Sequence, residues 1–204
     1  MVNGKGPRED MARDRRLQPG EEERIRAVLG GKNPEGKQRA LTLRHADALA
    51  VMFDLALESS MRLGETFTLT LDQVNLPGRT IFLDRTKNGD KRQVPITSVA
   101  DRLLRDYIGE RTSGVLFPWW SGTFDASELE RITWQLSRQY ARIFAAARCE
   151  DLTFHDLRHE GISRFYERTT LESAVIRKMV GHLSERAHQR YMNLRASSFA
   201  DRLW

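Results

Sequence analysis

The densest group of chemically capable side chains in this sequence is the segment His155-Asp156-Leu157-Arg158-His159. On a helix, residues three and four positions apart are neighbours, so the two histidines and Arg158 would share one face. Two histidines at this spacing also have the geometry of a metal site. The segment is therefore a candidate for metal chemistry as well as for chemistry that uses the imidazole and guanidinium groups directly.

The metal interpretation has a weakness within the same segment. A zinc hydrolase of the helical type carries a glutamate directly after its first histidine. This sequence has Asp156 at that position, whose side chain is too short for the same role, and it offers no third ligand. We therefore expect no metal here. Taken alone, the two histidines would be interpreted as structural residues on a helix surface.

The segment does not stand alone, because other reactive residues accompany it in a definite order. Gly181-His182 follows at the end of an apolar helical pattern, and Tyr191 comes nine positions later. Upstream, Arg62 follows a long helical pattern and Lys87 lies at the tip of a predicted hairpin. Each of these residues by itself is typical of a protein surface. Their joint order, Arg, Lys, His-x-x-Arg, Gly-His, Tyr, indicates a composite site.

With these motifs the chain resembles the catalytic domain of the tyrosine recombinases, the phage integrase family. Its first arginine motif is matched by Met61-Arg62-Leu63-Gly64-Glu65, and its hairpin lysine motif by Thr86-Lys87-Asn88-Gly89 followed by Val94-Pro95-Ile96. The His-x-x-Arg box is matched by the segment described above, and the final motif by Gly181-His182 through Arg190-Tyr191. The resemblance covers roughly residues 17–195.

The resemblance implies an enzyme that cleaves and rejoins double-stranded DNA. Cleavage of a phosphodiester develops negative charge on the nonbridging oxygens, which preorganised cations and hydrogen-bond donors stabilise. Arg62 and Arg158, with His182 as a donor, would form that clamp. Tyr191 would be the nucleophile and would form a covalent 3′-phosphotyrosine.

The same resemblance implies the proton transfers. A phenol has an ordinary pKa of about 10 and needs help to attack. His155 would accept the phenol proton, and Lys87 would protonate the leaving 5′ oxygen. The covalent ester keeps the bond energy, so neither a cofactor nor a metal is expected. Glu65 is expected to orient its neighbours from behind the site, and His159 to be a buried structural residue beside it.

Two other functions use the same residue types. A type IB topoisomerase employs similar Arg-Lys-Arg-His-Tyr chemistry to relax supercoils, but the spacing from Gly181-His182 to Tyr191 favours a recombinase. A catalytically idle DNA-binding module of the same fold would have no need of Tyr191 close to His182.

A mainly helical scaffold is predicted to position these residues. Apolar residues at three- and four-residue spacings from Leu43 to Leu57 predict a helix that ends near Ser59-Ser60, ahead of Arg62. A shorter helix opens at the acidic run Glu21 to Glu23. Further helices are predicted over residues 98–111, 127–147, 156–167, 171–180 and 184–193. Residues 66–74 fit either a strand or a short helix.

A β-hairpin carries the candidate lysine. Residues 79–83 and 91–96 have the composition of strands, and Asn88-Gly89 between them is a strong turn signal. One small antiparallel sheet among many helices, without strand–helix alternation, predicts a mostly α fold of the α+β class. This is also the fold that the resemblance implies.

Charge and composition are consistent with a DNA partner. The 204-residue chain has a net charge of +5, and residues 131–204 carry 13 basic against 8 acidic side chains. Arginine accounts for 27 of the 33 basic residues, and its planar fork suits phosphate. A solvated basic face would give the same counts.

The sequence also bears on the compartment. The single cysteine, Cys149, excludes a disulfide framework. The absence of a long apolar run excludes a membrane span or a signal peptide, and we therefore expect a cytoplasmic protein.

The sequence divides into three parts, which are an arm or linker over residues 1–16, the catalytic domain over 17–195 and a tail over 196–204. Family members usually carry a separate DNA-binding domain ahead of the catalytic one. Because only the arm precedes the catalytic resemblance in this sequence, we expect weak unaided DNA binding. In the tail, Phe199 and Leu203-Trp204 fall at helical spacing and would form an apolar stripe. Such a stripe must be buried, either on its own core or on a neighbouring copy. The resemblance to the recombinases implies the second, with the tail docked on the adjacent copy within a tetramer on paired DNA sites.

Overall fold

The computed structural model describes residues 15–33, 39–84 and 91–181, and helices form most of these ranges. The α-helices are α1 (Glu21–Leu29), α2 (Ala46–Ser59), α3 (Leu63–Phe67), α4 (Ser98–Ile108), α5 (Ala126–Ala146), α6 (Phe154–Arg168) and α7 (Ser173–Val180). The strands are β1 (Val74–Asn75), β2 (Thr80–Leu83) and β3 (Arg92–Pro95), antiparallel in the order β1-β2-β3. The predicted fold class is confirmed.

The start of α6 differs from the sequence prediction, which placed it at residue 156. The helix begins at Phe154 because Thr153 and Asp156 form a capping box. The backbone N–H and the hydroxyl of Thr153 donate to Asp156 Oδ2 at 2.7 and 2.8 Å. This cap satisfies donors that an open helix end would leave unpaired, and it fixes the first turn, which carries His155.

Three other helices start late or end early, and one predicted helix lies outside the described residues. Helix α2 begins at Ala46 rather than Leu43, because His45 at its N-cap has a positive φ of 57°. Helix α4 ends at Ile108 rather than residue 111, because Gly109 adopts a positive φ of 56° that leaves the helix. Helix α7 begins at Ser173 rather than residue 171, because Glu172 is extended. The predicted helix over 184–193 falls outside the ranges that the structure describes.

The hairpin prediction is confirmed, since Thr80 to Leu83 of β2 pair with Arg92 to Pro95 of β3. The segment that fitted either a strand or a helix contains both in succession. Helix α3 ends at Phe67, a 3₁₀ helix spans Leu71–Gln73, and β1 follows and pairs with β2. The strand-like and helix-like residues over 66–74 therefore belong to successive elements, first helical and then extended.

Helix α2 lies at the centre of the domain and packs against α1, α4 and α6. Its apolar residues Leu49, Met52 and Phe53 have no exposed surface. Tyr140 of α5 is also fully buried, and its hydroxyl donates to the carbonyl oxygen of Leu49 at 2.8 Å.

A second apolar cluster joins α6 to α7 through Ile162, Phe165, Ile176 and Val180. Burial on both faces holds α6 as a rigid element.

Close contact between α2 and α6 depends on Gly161. A Cβ at this position would lie 2.7 Å from the carbonyl oxygen of Leu57 and 2.7 Å from Ser60 Oγ. Ser60 ends α2 in the left-handed conformation, with φ of 57°, and is completely buried. The backbones of the two helices therefore meet at the place where the chain leaves α2 toward Arg62.

The residues just before α1 are joined to the domain by ion pairs. Arg15 pairs with Glu21 at 2.6 Å, and Arg16 pairs with Glu160 at 3.0 Å and with Glu167 at 2.6 Å. The sequence analysis assigned these two arginines to the arm, whereas both side chains contact the packed domain. Among the described residues, each helix is too short or too polar to cross a bilayer.

Candidate active site

Arg158 is the most completely buried arginine of the candidate site, with 2% of its surface exposed. Its Nη2 donates to the carbonyl oxygen of Val180 at 2.7 Å, and its Nη1 donates to the carbonyl oxygen of Ser60. These two carbonyls lie at the C-terminal ends of α7 and α2, where the helix dipole favours a cation. The guanidinium is therefore held in a fixed orientation by the C-terminal ends of two helices.

Arg62 occupies the N-cap position of the short helix α3, and Glu65 completes a capping box with it. The backbone N–H of Arg62 donates to Glu65 Oε2 at 2.9 Å, and its Nη1 donates to Glu65 Oε1 at 2.8 Å. The Arg62 side chain keeps 25% of its surface exposed, whereas that of Glu65 keeps 5%. Glu65 thus holds the Arg62 guanidinium in place, while part of the Arg62 side chain remains accessible to solvent.

The carboxylate of Glu65 remains ionised in this environment. Burial alone would raise the pKa of Glu65, but hydrogen bonds and charge from Arg92, together with those from Arg62, lower it to about 2. A single negative charge therefore serves two guanidinium groups. The orienting role expected for Glu65 stays a prediction, and Arg62 and Arg92 are the two groups that its carboxylate contacts.

A cleft of about 370 Å³ brings three of the predicted site residues together. Arg62, His155 and Arg158 line it, and Thr133, Ser137 and Ala141 of α5 form part of its wall. Arg62 comes from the turn after α2, while the other two lie on the first turns of α6. The structure therefore joins two motifs that are more than ninety positions apart in the sequence.

The two histidines of the His-x-x-Arg segment differ in exposure. His155 is exposed and lines the cleft, whereas His159 is buried, at 8% exposure. Their rings meet edge to face with centroids 5.1 Å apart. Within the described ranges, no cluster of three or more histidine, cysteine, aspartate or glutamate side chains is arranged to hold a metal ion.

Lys87, His182 and Tyr191 lie outside the described residues. The described chain does reach the position before His182, because Gly181 ends α7 with a positive φ of 71°. A Cβ on Gly181 would lie 3.0 Å from Arg92 Nη1. Glycine is therefore favoured here both by the backbone conformation and by the closeness of an arginine.

Arg92 is the residue of this region that the sequence analysis missed. Its side chain is only 7% exposed and donates to both oxygens of Glu65, at 3.0 and 2.7 Å. The signal was present in the strand pattern, because Arg92, Val94 and Ile96 alternate onto one face and the last two are buried. An arginine in register with core residues indicates a buried partner of opposite charge.

The fold is that of tyrosine recombinase catalytic domains. The catalytic domain of bacteriophage HP1 integrase superposes with a TM-score of 0.57 at 22% identity, covering 92% of this chain and 94% of that one. The XerH site-specific recombinase bound to palindromic difH substrate superposes with a TM-score of 0.63 at 17% identity, covering 92% of this chain and 52% of that one.

Sequence comparison identifies the family. The chain belongs to the phage integrase family, whose model matches residues 36–198. It is 34% identical over 197 residues to a shufflon-specific DNA recombinase of Escherichia coli, which covers 97% of this chain and 44% of that relative. The chain thus spans less than half the length of this curated relative.

Proposed function

We propose that this chain is the catalytic part of a site-specific DNA recombinase that cleaves and rejoins strands through a covalent 3′-phosphotyrosine. The observation that carries the proposal is the cleft on which Arg62, His155 and Arg158 meet, in a domain of the phage integrase family. The catalytic domain proposed here spans residues 17–195.

The two arginines bind the scissile phosphate. Arg158 is locked by carbonyl oxygens, and Arg62 by Glu65, so neither guanidinium needs to reorganise as charge develops on the nonbridging oxygens. Preorganised donors of this kind supply a large share of catalysis in charged transition states. His182, which follows Gly181 at the end of α7, adds a further hydrogen-bond donor.

The covalent step is a transesterification. The phenolic oxygen of Tyr191 attacks phosphorus, the bond to the 5′ oxygen breaks, and the 3′ phosphate remains on the tyrosine. His155 accepts the phenol proton, and Lys87 donates a proton to the leaving 5′ oxygen. Attack by the 5′ hydroxyl of a second strand reverses these steps and rejoins the DNA, so the cycle needs no external energy source.

The partners are double-stranded DNA and further copies of this chain, which form a tetramer on paired sites in the cytoplasm. Two similar proteins support a recombinase over a topoisomerase. The Escherichia coli relative is a DNA recombinase specific for the shufflon, and XerH is a site-specific recombinase bound to its difH substrate. An idle binding module is disfavoured because all the residues needed for cleavage are present in this sequence.

Substitution of the nucleophile tests the proposal. The probe is a pool of nicked duplexes of randomised sequence, whose short 5′-hydroxyl fragment diffuses away after cleavage and traps the covalent complex. Tyr191→Phe removes only the phenolic oxygen and is expected to abolish the trapped complex while DNA binding persists. Tyr166→Phe is the matched control, because its hydroxyl contacts Ser173 and lies outside the cleft. Trapping of Tyr191→Phe through its 3′ phosphate would contradict the proposal.

A further inference from the structure

Arg92 connects its own strand, β3, to two other elements near the candidate site, α3 and α7. It lies at the first position of β3. It binds Glu65 in α3 with two parallel hydrogen bonds, and its Nε donates to the carbonyl oxygen of Met179 in α7 at 3.2 Å. A paired guanidinium–carboxylate contact fixes the relative orientation of both groups.

The contacts of Glu65 show what Arg92 contributes. Oε1 accepts from Arg62 Nη1 and Arg92 Nη1, and Oε2 accepts from the Arg62 backbone and Arg92 Nη2. A carboxylate has about four acceptor positions, so these bonds fill its capacity. Without Arg92, two of the acceptor positions would open and the carboxylate could rotate away from Arg62.

The contact with α7 extends the same connection to the end of that helix. Arg92 holds the Met179 carbonyl, and Arg158 holds the carbonyl of the next residue, Val180, at 2.7 Å. Gly181 packs against the Arg92 guanidinium. The backbone immediately before His182 is therefore held by one arginine of the clamp and by Arg92.

We infer that Arg92 is a positioning residue for strand cleavage, which holds Glu65 so that Arg62 points at the phosphate and holds the end of α7 beside Arg158. This inference rests on the proposed function. Arg92 has a nearly buried side chain, and the cleft is lined by other residues, so it acts through Glu65 and the α7 backbone rather than on DNA directly.

The first measurement does not depend on activity. Arg92→Gln and Arg92→Lys are compared with wild type by amide hydrogen exchange, since lysine keeps the charge but cannot bind both carboxylate oxygens and the Met179 carbonyl. Both variants are expected to exchange faster in peptides covering residues 61–67 and 176–181. Unchanged exchange in these two segments in a folded variant would overturn the inference, whether or not the protein cleaves DNA.

The second measurement separates positioning from a general loss of structure. Single-turnover cleavage is compared on a phosphodiester and on a methylphosphonate, in which a neutral methyl group replaces one nonbridging oxygen and removes the charge that Arg62 would stabilise. Arg92→Lys is expected to slow the phosphodiester on the order of 10–100-fold, as for other residues that orient functional groups, and to slow the methylphosphonate much less. Equal slowing of both substrates would overturn the inference.

Two controls complete the design. Arg105→Gln removes an arginine that pairs with Asp101 on the exposed face of α4, so it matches the charge lost in Arg92→Gln and should cleave both substrates at the wild-type rate. In a Glu65→Gln background, Arg92→Lys is expected to cause a smaller loss than in wild type, because the part of its effect that passes through Glu65 to Arg62 is already gone. Independent, multiplying effects of the two substitutions on the cleavage rate would contradict that route.

The proposed function and the role of Arg92 can fail separately. A wild-type protein that forms no covalent complex dependent on Tyr191 would refute the proposed function. The hydrogen-exchange measurement would still decide whether Arg92 holds residues 61–67 and 176–181.

Discussion

Arg158 Nη2 donates a hydrogen bond of 2.7 Å to the carbonyl oxygen of Val180. This bond joins α6, which contains the His-x-x-Arg motif, to the last residue of α7. The next two positions in the chain are Gly181 and His182. Arg158, the second arginine of the candidate clamp, therefore also holds the backbone two positions before His182, the proposed hydrogen-bond donor. The guanidinium that holds the end of α7 is thus the one proposed to bind the phosphate.

Arg158→Lys is expected to slow cleavage roughly a hundredfold or more, on the order of 3 kcal/mol in the barrier. Lysine keeps the charge but cannot hold two carbonyl oxygens and a phosphate from one rigid plane. Single-turnover cleavage of the nicked duplexes measures the effect. Arg164→Lys on the same helix is the control, because Arg164 pairs with Glu22 and Glu160 away from the cleft. A near wild-type rate for Arg158→Lys would exclude Arg158 from the clamp.

Cleavage is expected to persist in EDTA, because the proposed clamp consists of Arg62, Arg158 and His182 rather than a metal ion. The measurement is the yield of covalent complex with and without the chelator. Loss of the complex in EDTA and its recovery on addition of zinc or magnesium would favour the alternative in which His155 and His159 bind a metal.

The lowered pKa of Glu65 predicts a pH-dependent contribution to stability. The folded pKa of about 2 lies below the ordinary value of 4.5, so the ionised carboxylate stabilises the fold above about pH 5 and this contribution is lost as pH falls toward 2. The gap in the free energy of unfolding between wild type and Glu65→Gln should therefore be largest near neutral pH and shrink on acidification. Urea titrations at several pH values measure it, and a gap independent of pH would contradict the prediction.

Gly161→Ala is expected to destabilise the domain by about 1–3 kcal/mol, the usual cost of forcing an extra methyl group into a close contact. The new Cβ would meet the Leu57 carbonyl oxygen and Ser60 Oγ at 2.7 Å. Gly64→Ala is the matched control, since nothing lies within 4 Å of its Cβ, and it should be neutral or stabilising by about 0.5–1 kcal/mol. Thermal or urea unfolding of the two variants decides whether α2 and α6 meet as closely as the structure indicates.

Removal of the chain after Arg195 tests the role proposed for the tail. The truncated protein is expected to fold and to retain the described core, while assembly on paired sites and strand exchange are lost. Circular dichroism, sizing on DNA and a paired-site exchange assay measure these properties. Unfolding of the truncated chain, or recombination at the full-length rate, would contradict docking of the tail on a neighbouring copy.

The amino-acid sequence by itself determined most of the helices, the β2–β3 hairpin and the fold class. These features depend on short-range signals, such as the three- and four-residue apolar spacing in α2 and the Asn-Gly pair between the two strands, which are readable without the rest of the chain. The residue types of the candidate site were also readable, because their order along the chain matches one family. Helix ends were less predictable, since Gly109 and the Thr153–Asp156 cap act through local geometry that periodicity does not detect.

Only the tertiary structure decided which of these residues meet and what holds them. The sequence separates Arg62 from Arg158 by 96 positions. Both line one cleft, and α2 and α6 meet closely at Gly161. The Arg92–Glu65 pair also joins distant segments, and neither residue type indicates the other as its partner. The physical reason is that a buried charge is stabilised by whichever opposite charge the fold places beside it, and that partner depends on long-range packing rather than on spacing along the chain.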